Sequence, residues 1–166
     1  MPISTIGTNA IAAGAVTRPK IGYAGAVLQV VNAALSGDVS TTSTTYGSTG
    51  LYATITPTST SSKIICLASS NSSYVGNSGN ALYSAFARGT SGNGSGSIVG
   101  ASLYYWVTAA NGSYQPSQMM YVDSPASTAA LTYTVMHRSA NGNLVGWCNA
   151  FASGNLTTLI LMEVAV

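Results

Sequence analysis

The last ten residues, Thr157-Thr158-Leu159-Ile160-Leu161-Met162-Glu163-Val164-Ala165-Val166, constrain the fold more than any other stretch. The run is short, apolar and partly β-branched, which favours a strand over a helix. Alternation places Thr158, Ile160, Met162, Val164 and Val166 on one face, and Leu159, Leu161, Glu163 and Ala165 on the other. An ordinary sheet buries one face; here both are mostly apolar, so the second asks for another sheet or another subunit. The carboxylate of Glu163, set between Leu161 and Ala165, must reach solvent, be protonated, or find a partner. Leu159, Leu161 and Glu163 are therefore expected at a subunit interface of a homotrimer. Arg138 is the favoured partner of Glu163 and Arg88 the second, with hydrogen bonds as the other way to hold the charge.

Charge is scarce throughout. The chain has 5 basic and 3 acidic residues, so charged side chains make up 5%, against about 25% in an ordinary soluble domain. A net charge of +2 is no electrostatic footprint for nucleic acid. Plentiful apolar strand formers argue against disorder. Solubility has to come from Ser, Thr, Asn, Gly and the 10 tyrosines, a balance that suits an extracellular or virion β protein better than a cytosolic enzyme. Cys66 and Cys148 allow one disulfide or two small buried thiols. The first residues lack the basic and continuous apolar regions of a signal peptide. Nowhere is there an apolar run long enough for a membrane span.

Two domains are expected: an N-terminal arm over 1–22 and a β domain over 23–166. In the arm, Ile3, Ile6, Ile11, Val16 and Ile21 are spaced apolar points among small and polar residues, broken by Pro2 and Pro19. Such a segment has no core of its own, so these five residues are the expected anchor on a partner surface. The β domain begins with the strand pattern 24–35. Further strands are expected at 51–56, 63–68, 81–88, 97–107, 130–138, 144–152 and the C-terminal run. Segments 36–46, 69–80, 89–96 and 108–119 read as loops, the first with an edge segment as its alternative. The Pro/Ser/Thr turn after Ile55 makes 51–56 and 63–68 look like sheet neighbours, and Asn141-Gly142 is the strongest hairpin signal. The whole is an all-β pattern, an antiparallel β-sandwich or jelly roll preceded by an extended arm.

No catalytic constellation stands out. His137 is the single histidine, without partners at metal-ligand spacing; it is expected to be a hydrogen-bonded strand residue at a surface or interface. Gly92-Asn93-Gly94-Ser95-Gly96 lacks the following lysine and helix of a phosphate loop. Asp38, Asp123 and Glu163 lie far apart. No cofactor, metal or enzymatic role is expected. Tyr74 and Tyr114, read as loop aromatics, are the candidate contacts for a host surface glycan.

Three segments carry a resemblance. They are Asn9 to Ile21 with Gly25 to Val31; Thr49 to Ile64; and Tyr121 to Pro125 with Leu131 to Tyr133 and Leu159 to Val164. Together they resemble small structural proteins of tailed bacteriophages, especially the tail-fibre tips and head fibres of cyanobacterial and marine phages. The resemblance touches both ends and the middle of the chain. It implies a homotrimeric β fibre or receptor-binding knob in the virion, anchored to other virion proteins by its arm. A capsid decoration (cement) protein that stabilises or studs the head is the alternative, and a non-viral carbohydrate-binding module a third. Tyr74, Tyr114 and the Gly92 loop have no counterparts in the resemblance.

Overall fold

The computed structural model describes residues 24–76, 79–92, 94, 96–100, 103–107, 113–148 and 157–166, with only the backbone described at 71–74, 103–107, 113–115 and 148. The arm residues Ile3, Ile6, Ile11, Val16 and Ile21 lie outside the described residues.

Eleven strands and no helix make up the described chain: β1 (Val27–Leu35), β2 (Val39–Thr41), β3 (Gly47–Ile55), β4 (Lys63–Val75), β5 (Asn80–Gly89), β6 (Ser97–Ile98), β7 (Leu103–Val107), β8 (Ser113–Asp123), β9 (Leu131–Ser139), β10 (Val145–Cys148) and β11 (Thr157–Val164). They form two antiparallel sheets packed as a sandwich. The first runs β1-β11-β4-β10-β2, with β8 also paired to β4. Strand β4 is long enough to hold two partners in tandem, β11 along Lys63–Ser69 and β10 along Ser72–Val75. Strand β8 follows it from Ile64 to Val75, with an irregularity between Ser70 and Ser73. The second sheet runs β3-β9-β5, and β6 and β7 pair with successive parts of β5.

The core lies between the sheets and follows strict alternation. Leu51, Ala53 and Ile55 of β3, Ile64, Cys66 and Ala68 of β4, Tyr133 and Val135 of β9, Leu82 and Phe86 of β5, and Leu159 and Leu161 of β11 are all buried. Each buried Leu, Ile or Phe is worth about 1.5–3 kcal/mol relative to exposure. Cys66 is a free thiol in this core, and burial, then the nearby Asp123, pushes its pKa up.

Several connections differ from expectation. Strands β3 and β4 are not neighbours: they belong to different sheets, and the segment 56–62 carries the chain across the end of the sandwich. Pro57, lacking an N–H, ends β3 there. Asn141-Gly142 is a turn, with Gly142 at φ 88°, yet it joins β9 of one sheet to β10 of the other and makes no hairpin. The buried Asn80 organises this crossing: its Oδ1 accepts from Asn141 N at 3.3 Å and its Nδ2 donates to Asn143 O at 3.1 Å. Residues 69–75 and 113–119 are strand, although Ser, Asn and Gln dominate them, because they pair with each other across β4 and β8. Segment 36–46 contains the edge strand β2. Segment 97–107 contains two strands where one bent strand was expected.

Candidate functional site

Strand β11 decides which surfaces are left for partners. Its burial alternates without a break: Thr157, Leu159, Leu161 and Glu163 are buried, and Thr158, Ile160, Met162 and Val164 are half-buried. The face that carries the carboxylate is the core face. Leu159, Leu161 and Glu163 are each 0% exposed within the single chain. They touch the chain's own interior and cannot form the expected subunit interface.

Glu163 is held entirely by hydrogen bonds. Its Oε1 accepts from Thr58 N, Thr58 Oγ1 and Ser62 Oγ, each at 2.7 Å, and its Oε2 accepts from Gln29 Nε2 at 2.6 Å. Burial alone would raise its pKa; donation from Ser62, Thr58 and Gln29 outweighs that and lowers it. The carboxylate lies under one connection, 56–62, at the end of the sandwich, where desolvation is shallow enough for four donors to overcome. Neither arginine takes part. Arg88 Nη1 donates to Asp123 Oδ2 at 2.5 Å, and Tyr133 Oη donates to the same oxygen at 2.6 Å, which clasps β8 to β5 and β9. Arg138 sits on the opposite face of the second sheet, with its guanidinium 3.8 Å from the Tyr83 ring centroid and 5.3 Å from that of Tyr46.

His137 is also placed differently from expectation. It is 2% exposed, stands across from Ser84 in the β5–β9 register, and meets the Trp147 ring edge-on at 5.0 Å between centroids. Neither ring nitrogen has a hydrogen-bond partner, and the same holds for Ser84 Oγ and Trp147 Nε1. Burial pushes the His137 pKa down to about 3, so the ring is neutral at physiological pH. It is a core residue, not a surface or interface one. Among the described residues no group of three or more His, Cys, Asp or Glu side chains could hold a metal ion.

What remains is the outer face of the first sheet. Across four adjacent strands the registers align Val30 with Met162, Ile65 and Val122, and Asn32 with Ile160, Leu67 and Met120. These side chains alternate with buried ones, so they point away from the core. Met120 is 70% exposed, Val30 59% and Val122 48%. Between the strands a depression of about 390 Å³ is lined by Leu67, Ser69, Gln118, Met120, Thr158 and Ile160. Seven large apolar side chains thus stand in two ranks with one amide among them and no formal charge. Lys63 stands at one end, its Nζ donating to Ser124 Oγ at 3.1 Å. Scattered apolar residues on a surface are ordinary, whereas a contiguous patch of this kind marks a contact site.

No protein-family model matches the chain, and no curated protein matches its sequence significantly.

The second sheet is treated differently on its outer side. The glycine-rich loop lies over it: Gly92 packs directly on the Tyr52 ring, where a Cβ would collide, and Gly94, at φ 78°, approaches Met136. Ser48 Oγ donates to Gly92 O at 3.2 Å. The chain itself covers the part of this face around Met136, leaving Tyr52 49% exposed, and leaves the two apolar ranks of the first sheet open. Tyr74 and Tyr114, expected in loops, are direct register partners on β4 and β8, and Gly146 of β10 is the next position along that row. The open face escapes notice in the sequence because its residues come from four separated strands. The alternation in 158–164, 65–67 and 120–122 is the signal that finds it.

Proposed function

We propose that this chain is a structural protein of a tailed-bacteriophage virion, a homotrimeric fibre or receptor-binding knob attached to other virion proteins through residues 1–22. The observation that carries this reading is the open, uncharged apolar face on a sandwich that has already filled its own core. Such a face suits a protein built into an assembly better than one that works alone in solution. The resemblance of 9–21 with 25–31, of 49–64, and of 121–125 with 131–133 and 159–164 to phage structural proteins points the same way. Tyr74 and Tyr114, paired in register at one end of β4 and β8, are the proposed platform for a neutral host glycan. Three copies would multiply a weak site by avidity, by about 10²- to 10⁴-fold.

Capsid decoration is the second reading. It is favoured by the described residues forming one sandwich with no shaft-like repeat, which fits a stud on the head. Electron microscopy of particles carrying a labelled copy of the chain tests both. Label at the tail tip or fibre supports the knob, label over the head supports decoration, and particles without label overturn the virion role. The glycan site is tested by Tyr74→Ala with Tyr114→Ala: particles that assemble and adsorb normally would remove these two residues from receptor binding.

A further inference from the structure

We propose that the outer face of the first sheet is where copies of this chain meet, each turning Ile65, Leu67, Met120, Val122, Ile160 and Met162 toward a common three-fold axis. This rests on the homotrimer reading above and names the surface that would build it.

The first argument is electrostatic. In a symmetric assembly every residue near the axis meets its own copies, so a charge there would be brought against like charges, at a cost that grows as water is excluded. The face has no charged side chain among its two ranks, and Asn32 stands at its β1 margin; the nearest charge, Lys63, lies beyond them at the end of β4 with its Nζ donating to Ser124 Oγ. A face meant for a different, charged partner would carry complementary charge along its ranks, and these carry none.

The second argument is dimensional. The face is four strands wide, β1-β11-β4-β8, or about 19 Å at the usual strand spacing of about 4.8 Å. Three flat faces of that width close into a triangular prism whose sides lie about 5.5 Å from the axis. Packed sheets stand about 10 Å apart, so each contributes side chains reaching about 5 Å. Three such faces therefore fill the centre with their own side chains. Four copies around a square would leave each face about 9.5 Å from the axis, with an unfilled channel lined by Leu and Ile.

The third argument is the contrast between the two sheets. On the outer face of the second sheet the loop at Gly92 and Gly94 lies over Tyr52 and Met136 and buries Met136 to 4% exposure, with Tyr52 still 49% exposed, whereas on the first sheet's face Met120 is 70% and Val30 59% exposed. Burying this face in sister copies is the solution that needs no additional chain.

The test uses the full chain. Sedimentation or light scattering at micromolar concentration should report a trimer. Met120→Lys, at the most exposed position of the face, should weaken association by at least about 100-fold and give a monomer with unchanged near-ultraviolet circular dichroism. Thr54→Lys, on the other sheet, should leave the trimer intact. Met120→Cys, made in a Cys148→Ser background, supplies a second readout: a short bis-maleimide should link copies to each other through position 120, while the buried Cys66 stays unmodified. A trimer that persists in Met120→Lys and gives no cross-link at position 120 overturns this surface while leaving the trimer standing. A wild-type monomer or dimer overturns the three-fold packing itself. Neither result bears on whether the chain is found on particles, which the labelled-virion experiment decides separately.

Discussion

Glu163 accepts four hydrogen bonds and no salt bridge, so its removal leaves donors stranded instead of a cation. Glu163→Gln keeps an oxygen for Thr58 and Ser62 but sets its amide against Gln29 Nε2, a donor itself. With a buried unsatisfied donor costing about 1–3 kcal/mol, the variant should lose about 1–3 kcal/mol in denaturant unfolding. Arg138→Ala should lose less than about 1 kcal/mol, since Arg138 covers Tyr83 and Tyr46 and makes one long bond, Nη1 donating to Ser139 O at 3.5 Å. Equal losses in the two variants would contradict the hydrogen-bonded assignment. His137 sets the response to acid. Its native pKa is pushed to about 3, below the unfolded value of about 6.5. Between those values the unfolded chain binds a proton that the native chain refuses, so stability is full above about pH 6.5 and falls as pH drops toward 3. The slope is at most about 1.4 kcal/mol per pH unit. Glu163, whose native pKa is lowered, contributes stability above its unfolded value and loses it only at lower pH, as the carboxylate protonates. Stability measured from pH 7 to pH 5 should therefore decline in the wild type and stay flat in His137→Leu, whatever that variant's absolute stability.

Strands show most clearly what was legible beforehand. The alternation of 131–138 and 157–164 located β9 and β11 and sorted their residues into the right two faces. Which β11 face turns inward was not legible. A carboxylate among leucines looks like an interface residue, and the donors that make it a core residue come from Gln29, Thr58 and Ser62, about a hundred or more positions away. The polar stretches 69–75 and 113–118 hid their strand character because Ser, Asn and Gln have weak β preference, which pairing between β4 and β8 overrides. Asn141-Gly142 marked a turn, but a turn residue cannot say whether the chain stays in its sheet. The face assignment has its own check, best made in the Met120→Lys background so that association does not enter. Leu161→Ala should cost about 2–5 kcal/mol, because Leu161 is 0% exposed in the core. Val30→Thr, at 59% exposure on the opposite side of the same sheet, should cost less than about 0.5–1 kcal/mol. If the two costs were reversed, the sheet would be inside out.

At the scale of the whole molecule, the sandwich and the arm should separate in function. The described residues from 24 onward hold the ladder pairings from β1 to β11, the Glu163 and Asp123 clasps and the core cluster. Backbone bonds from Gly25 N to Ala165 O at 2.8 Å and from Ala165 N to Ala26 O at 2.9 Å close the start of the domain onto its last strand. The described residues from 24 onward thus carry a core and clasps of their own, and the spaced isoleucines of 1–22 suit a partner surface. If those isoleucines serve a partner, a chain lacking 1–22 should unfold within about 0.5 kcal/mol of the full chain. It should also keep the oligomeric state of the full chain, because the proposed contact face is built from β1, β4, β8 and β11 alone. Supplied to particles that lack the native copy, the truncated chain should fail to bind where the full chain restores occupancy. Truncated protein that decorates particles at full occupancy would move the anchor into the sandwich, where the open face of the first sheet would be the first place to look. A truncated chain that is folded but monomeric, beside a trimeric full chain, would instead assign trimer formation to the arm.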